Sequence, residues 1–245
     1  MPASLSPSRL RAEILIVLAI TFGVSGVRSV LRLINALLSP VPLNKQSVTL
    51  NASQSNFAWL DVALQLCSAG VLFAYGALVL FLLAGEGIRL PRFRASDTPF
   101  GAALAALIGL PGLALYVTAL HMGWTKEVVP TSFANPFVEA PALLLWSAAN
   151  AFGEELVVVF WLLTRLRQLR WSVPAVIAGS AVLRGLYHLY QGVSAGFGNV
   201  AMGVIFAGFY LRTGRVWPLV IAHFLIDAVA FLGYAAIGDL SFLGL

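Results

Sequence analysis

Charge is scarce throughout this sequence. Only 10% of its 245 residues are Asp, Glu, Lys or Arg, while 60% are hydrophobic; a soluble domain carries roughly 25% charged residues. The deficit runs the whole length of the chain, which argues against a soluble enzyme with a single anchor and for a polytopic membrane protein. Cysteine is nearly absent too. Cys67 stands alone, so no intrachain disulfide and no cysteine-based metal site can form. Its place in an apolar run predicts a small packing residue. Long polar or low-complexity tracts and internal repeats are missing, and with no inverted repeat a transporter architecture loses its usual signature. An HExxH motif is also lacking.

What little charge there is lies in two kinds of place. The net charge of +5 comes mostly from arginines between apolar runs, where membrane topology favours them, and no aromatic-interleaved basic patch points to nucleic acid. Apolar runs and breakers predict seven spans, near 12–30, 57–85, 98–121, 137–164, 172–191, 194–211 and 216–236. An eighth, half-inserted segment would bring the total to eight. The expected fold is therefore all-α, a single helical membrane bundle over 1–245 with its motif-bearing half at 137–236. Arg9 and Arg11 before the first run read as the flank of a retained helix and not of a cleaved signal. Residues 28–38 are amphipathic and suit the membrane interface, and 39–56 read as an exposed loop. Ala95 to Pro99 offers a helix start capped by Asp97 or Thr98, and Pro111 should kink the third span. With a cytoplasmic N-terminus, Arg9/Arg11, Arg89/Arg92/Arg94, Arg165/Arg167/Arg170 and Arg212/Arg215 all fall inside.

The remaining charge sits at membrane depth, where it is costly. Glu154 and Glu155 adjoin each other in the fourth span. In an α-helix Asn150 and Glu154 share a face, and Glu155 points about 100° away. The fifth span carries Arg184 and His188 at i, i+4, with Tyr187, Tyr190 and Gln191 as polar tips that also suit an interfacial role. The seventh carries His223 and Asp227 at the same spacing, behind a first-turn Pro218. Structural ion pairs between helices would account for such residues one pair at a time. Stability alone would favour apolar pairs at these positions, so three ionisable segments together point to chemistry. Gly196, Gly198, Gly203 and Gly208 in the sixth span read as close-packing positions, and Asn199 lies within reach of the polar cluster.

The order of these segments resembles the CPBP family, the CAAX-protease and bacteriocin-processing (Abi) intramembrane endopeptidases. The string FGEELVVV supplies the family's Glu-Glu motif at Glu154 and Glu155. RGLYH supplies the histidine of the second motif at His188, and HFLID supplies the last motif at His223 and Asp227. The strings YHLYQG and RTGRVWPLVIAH also resemble bacterial members. The resemblance runs from Asn150 onward and departs twice. Val159 stands at the motif arginine and Arg184 at the motif phenylalanine. The two departures fit together if Arg184 returns from the neighbouring helix the cation that Val159 lacks.

The resemblance implies a glutamic-type peptide hydrolase of the bacterial plasma membrane, without a cofactor or metal. Its substrate would be a peptide or protein beside the lipid bilayer; in eukaryotic relatives this is a prenylated C-terminal tail. Glu154 and His188 would activate water, His223 and Asp227 would line an oxyanion hole, and Glu155, Arg184 and Asn150 would support them. Three alternatives stay open at this point: a metal-dependent version of the same protease using Glu154, His188, His223 and Asp227; a catalytically impaired immunity or scaffold protein; and a proton-coupled transporter.

Overall fold

A computed structural model of the chain describes residues 5–129 and 136–233. The final residues of the seventh expected span, 234–236, lie outside the described residues. Helices α1 (Pro7–Ile20) and α2 (Phe22–Leu37) open the chain, followed by α3 (Ala58–Ala84), α4 (Asp97–His121) and α5 (Pro136–Glu154). A π-helical stretch, Glu155–Trp161, leads from α5 into α6 (Leu162–Gln168) without a break, and α7 (Val173–His188), α8 (Val193–Thr213) and α9 (Trp217–Ala228) complete the bundle. The fold is an all-α membrane bundle. Four of its helical stretches are long and apolar enough to cross a membrane: 58–84, 97–121, 140–168 and 193–213. Their outer faces present Leu64, Val71, Phe81, Leu107 and Leu110, the apolar covering that lipid requires.

The seven expected spans are not seven full-length helices. The first is broken at Thr21, where α1 and α2 meet at a bend of 50°; joined, they would make a fifth crossing. Thr21 leaves helical geometry and its hydroxyl turns back to Val17 O at 2.7 Å. Gly23 lies so close to Leu18 that a Cβ would stand 2.6 Å from its carbonyl oxygen, so the bend needs glycine. The amphipathic stretch expected at 28–38 is the continuation of α2, with Arg28 and Arg32 exposed. α7 has 16 residues, and Trp217–Gly233, the apolar helix of the last span, is also shorter than a full crossing.

Smaller expectations shift as well. Cys67 is exposed on α3 and is not a packing residue. Neither Asp97 nor Thr98 caps α4: Ser96 holds the cap position, and Asp97 accepts from Arg94 N and Arg215 Nε, both at 2.7 Å. α4 continues through Pro111. The loop 39–56 contains a short strand, β1 (Ser47–Thr49), paired in parallel with β2 (Glu127–Val129). Arg165 is not a loop charge. It is fully buried and held by Glu13 of α1 at 2.7 Å and by Glu86 beyond α3.

The π-helical stretch is the centre of the core. Every side chain from Leu156 to Trp161 is buried, against Val79 and Leu83 of α3, Val176 of α7 and Phe206 of α8. Close approaches seat it there. A Cβ on Gly153 would lie 2.7 Å from Leu72 O, and one on Gly203 would lie 2.7 Å from Ala181 Cα, so α3 meets α5 and α7 meets α8 nearly backbone to backbone. Gly196 has a similar fit against Leu189, Gly198 only ordinary contact with Leu115, and Gly208 faces open space.

Candidate active site

Three stretches of helix bring ionisable side chains to one buried place. The first is the junction between α5 and the π-helical stretch, which carries Glu154 and Glu155. In regular α geometry the two carboxylates would diverge. At this junction the long Arg184 side chain reaches both, so that the two carboxylates meet the same guanidinium. Arg184 Nη2 lies 2.7 and 2.8 Å from the two oxygens of Glu155, and its Nη1 lies 3.3 Å from Glu154 Oε2. Glu155 and Arg184 are both 0% exposed. The guanidinium also stacks over the Phe206 ring at 5.5 Å. Ser180, one turn before Arg184, donates to Val158 O at 2.8 Å and ties α7 to the wide turns.

α7 adds two more groups. The Tyr187 hydroxyl donates to Glu154 Oε2 at 2.5 Å. The His188 ring is bonded through Nδ1 to Arg184 O at 2.9 Å. A carbonyl oxygen only accepts, so Nδ1 carries the proton, and in the neutral ring Nε2 holds the lone pair. α9 supplies the third side. His223 Nδ1 donates to Glu155 Oε1 at 2.7 Å, and its Nε2 stands 3.7 Å from Asp227 Oδ1. His223 is thus set between two carboxylates, and Glu155, not its helix neighbour Asp227, makes the hydrogen bond. Asp227 Oδ2 accepts from Asn150 Nδ2 at 3.0 Å. Glu154 is within electrostatic range of Arg184, His188 and His223 together.

All seven residues singled out in the sequence therefore come together: Asn150, Glu154, Glu155, Arg184, His188, His223 and Asp227. Asn199 does not join them; its amide bonds back to Ala195 O in its own helix at 3.0 Å. Tyr187 joins unforeseen. Its position three residues after Arg184 was the available signal, masked by the general preference of tyrosine for interfaces. Among the described residues, no group of three or more His, Cys, Asp and Glu side chains is arranged to hold a metal ion.

A membrane bundle with an acid pair, a guanidinium and two imidazoles walled into its interior is the class this fold and centre define. Residues 136–229 match the family model described as Type II CAAX prenyl endopeptidase Rce1-like. Over this stretch, somewhat more than a third of its length, the chain is similar to the CPBP, or CAAX protease, family. The match begins upstream of the Asn150 start read from the motifs and contains all seven residues. No curated protein and no solved structure matches the chain.

Proposed function

We propose that the chain is a glutamic-type intramembrane endopeptidase that hydrolyses a peptide bond in a membrane-associated or C-terminal peptide. Glu154 is the general base. Its Oε2 is engaged by Tyr187 and Arg184, which leaves Oε1 to take the proton from a water attacking the scissile carbonyl. His188, with Nδ1 committed to the backbone, accepts at Nε2 a hydrogen bond from the same water, and the proton taken up by Glu154 then passes by way of this Nε2 to the leaving amine. His223 as the imidazolium, through Nε2, and Asp227 in its protonated form, through Oδ1, flank the oxyanion as donors aimed where charge develops. Glu155 orients His223, and Asn150 orients Asp227.

The single observation that carries this reading is the convergence of Glu154, His188 and His223, from three separate stretches of helix, within one electrostatic neighbourhood. The Val159 departure would favour an inactive scaffold if it left Glu155 without a cation, but Arg184 supplies one. The family's name points to prenylated C-terminal tails as one substrate class to try. The test is purified protein in bilayers against a library of membrane-associated peptides, with products read by mass spectrometry. Wild type should cut and Glu154→Ala should not; equal cutting by both would overturn the assignment.

A further inference from the structure

We infer that Tyr187 is a positioning residue for Glu154 and that Phe22 of α2 seats its ring, so that the N-terminal helices complete the site. The inference rests on the peptidase reading for its catalytic meaning, but its geometry stands apart from it. The family match covers 136–229 and does not reach α2.

A carboxylate has two equivalent oxygens, and a base needs one of them aimed. Tyr187 at 2.5 Å and Arg184 at 3.3 Å both address Oε2, and so fix the plane of the carboxylate and the direction of Oε1. A hydroxyl bonded to an ionised oxygen makes a short, charge-assisted bond of the stronger kind. The hydroxyl can hold that position only if its ring is held. Tyr187 is 6% exposed. Phe22 lies 5.0 Å from it, ring centroid to ring centroid, tilted by 35°, and Tyr75 of α3 meets Phe22 edge-on at 6.0 Å. Phe22 is the first residue of α2, so the break at Thr21 is what turns it inward. Gly26, one turn on, lets α2 lie against the backbone of Leu186 and Tyr187. On the other side the His188 ring is 4.6 Å from the tyrosine ring. Tyr187 is therefore enclosed between the foreign helix and the proposed proton carrier.

A tyrosine buried merely to satisfy its own hydroxyl would have the same packing, so the test reads the carboxyl group itself. The full chain in bilayers gives an infrared difference spectrum, wild type minus Glu154→Gln, that isolates the Glu154 band. In Tyr187→Phe that band should shift, and kcat should fall about ten- to a hundredfold, the loss expected for a hydrogen bond to a charged group. KM should stay within about twofold, because the bond acts on the base and not on substrate binding. Phe22→Leu keeps an apolar side chain without a ring; it should move the band partway, with a smaller fall in kcat. An unmoved band in Tyr187→Phe overturns the inference even if the protein proves to be a Glu154-dependent peptidase. An unmoved band in Phe22→Leu, with only a lower melting temperature, overturns the part assigned to α2. If wild type cuts nothing, the peptidase reading falls, and the infrared comparison still decides how Glu154 is held.

Discussion

Arg184 reaches both carboxylate oxygens of Glu155 from the neighbouring helix, at 2.7 and 2.8 Å, with neither side chain exposed. This contact explains how a chain with Val159 at the usual arginine position still keeps an acid pair in its interior. A buried carboxylate without a counter-ion is costly, and a cation contributed by α7 does the work of one contributed by the acid pair's own helix. It also ties α7 to the π-helical stretch, where Ser180 already bonds Val158 O.

Arg184→Leu should destabilise the fold by about 3–5 kcal/mol, the cost of leaving a buried partner charge uncompensated. Adding Val159→Arg should recover part of that loss. Thermal unfolding in detergent checks both. A neutral single variant, with no further change in the double, would show that the two positions are not linked.

The two adjacent carboxylates should differ in kind. Glu154→Gln should abolish cleavage and leave the fold intact, because Glu154 makes the weaker bond to Arg184. Glu155→Gln should lower the melting temperature as well as the rate, since it weakens the pairing with Arg184 and the hold on His223 Nδ1 at once. Turnover and unfolding measured on the same preparations separate the two.

Asp227→Asn should retain much of the activity. An amide oxygen can still accept from Asn150, and an amide N–H can donate toward the oxyanion. Asp227→Leu should lose about 10²-fold or more in kcat, as when one oxyanion donor is deleted. Equal loss in both would remove Asp227 from the oxyanion site.

Within α8, two glycines should respond in opposite directions. Gly203→Ala brings a Cβ to 2.7 Å from Ala181 Cα, a backbone atom that cannot move aside, and should cost about 1–3 kcal/mol. Gly208→Ala meets nothing within 4 Å and should be neutral or stabilise by about 0.5–1 kcal/mol. Melting temperatures of the two variants give the comparison.

Cleavage should survive strong chelators. Both oxygens of Glu155 and Nδ1 of both site histidines are already committed to protein partners. Loss of activity with EDTA or phenanthroline, restored by a divalent metal, would establish the metal-dependent alternative.

Much of this was legible before any coordinates. Apolar runs located the helices, because a bilayer enforces helical hydrogen bonding over long apolar stretches. The i, i+4 pairs Arg184/His188 and His223/Asp227 each gave one face of a helix. Other features leave no periodic trace. Beyond Glu155 the π-helical stretch is an unbroken run of apolar residues, which reads the same in α or π winding. The break at Thr21 depends on Gly23 fitting against Leu18, a contact that no pattern of hydrophobicity encodes. Arg165 looked like a topology signal because the flank of a span is where arginines gather; only the tertiary placement of Glu13 and Glu86 turned it inward. The His223–Glu155 bond joins residues 68 apart and lost out, in the sequence, to the local His223–Asp227 pair.

The wide turns from Glu155 to Trp161 also act as a length standard. At one end they set the acid pair; at the other, Arg165 is locked to Glu13 and Glu86. If the same seven residues rewound as ordinary α-helix, each would turn further around the axis than in the wide winding, and everything beyond would swing by more than one residue's step of about 100°. Arg165 would then be pulled away from its acids while Glu154 stayed in place. Two centres that share no side chain are thus kept in rotational step by the winding of seven apolar-rich residues, and a full-length chain rewound there would have to give up one of them.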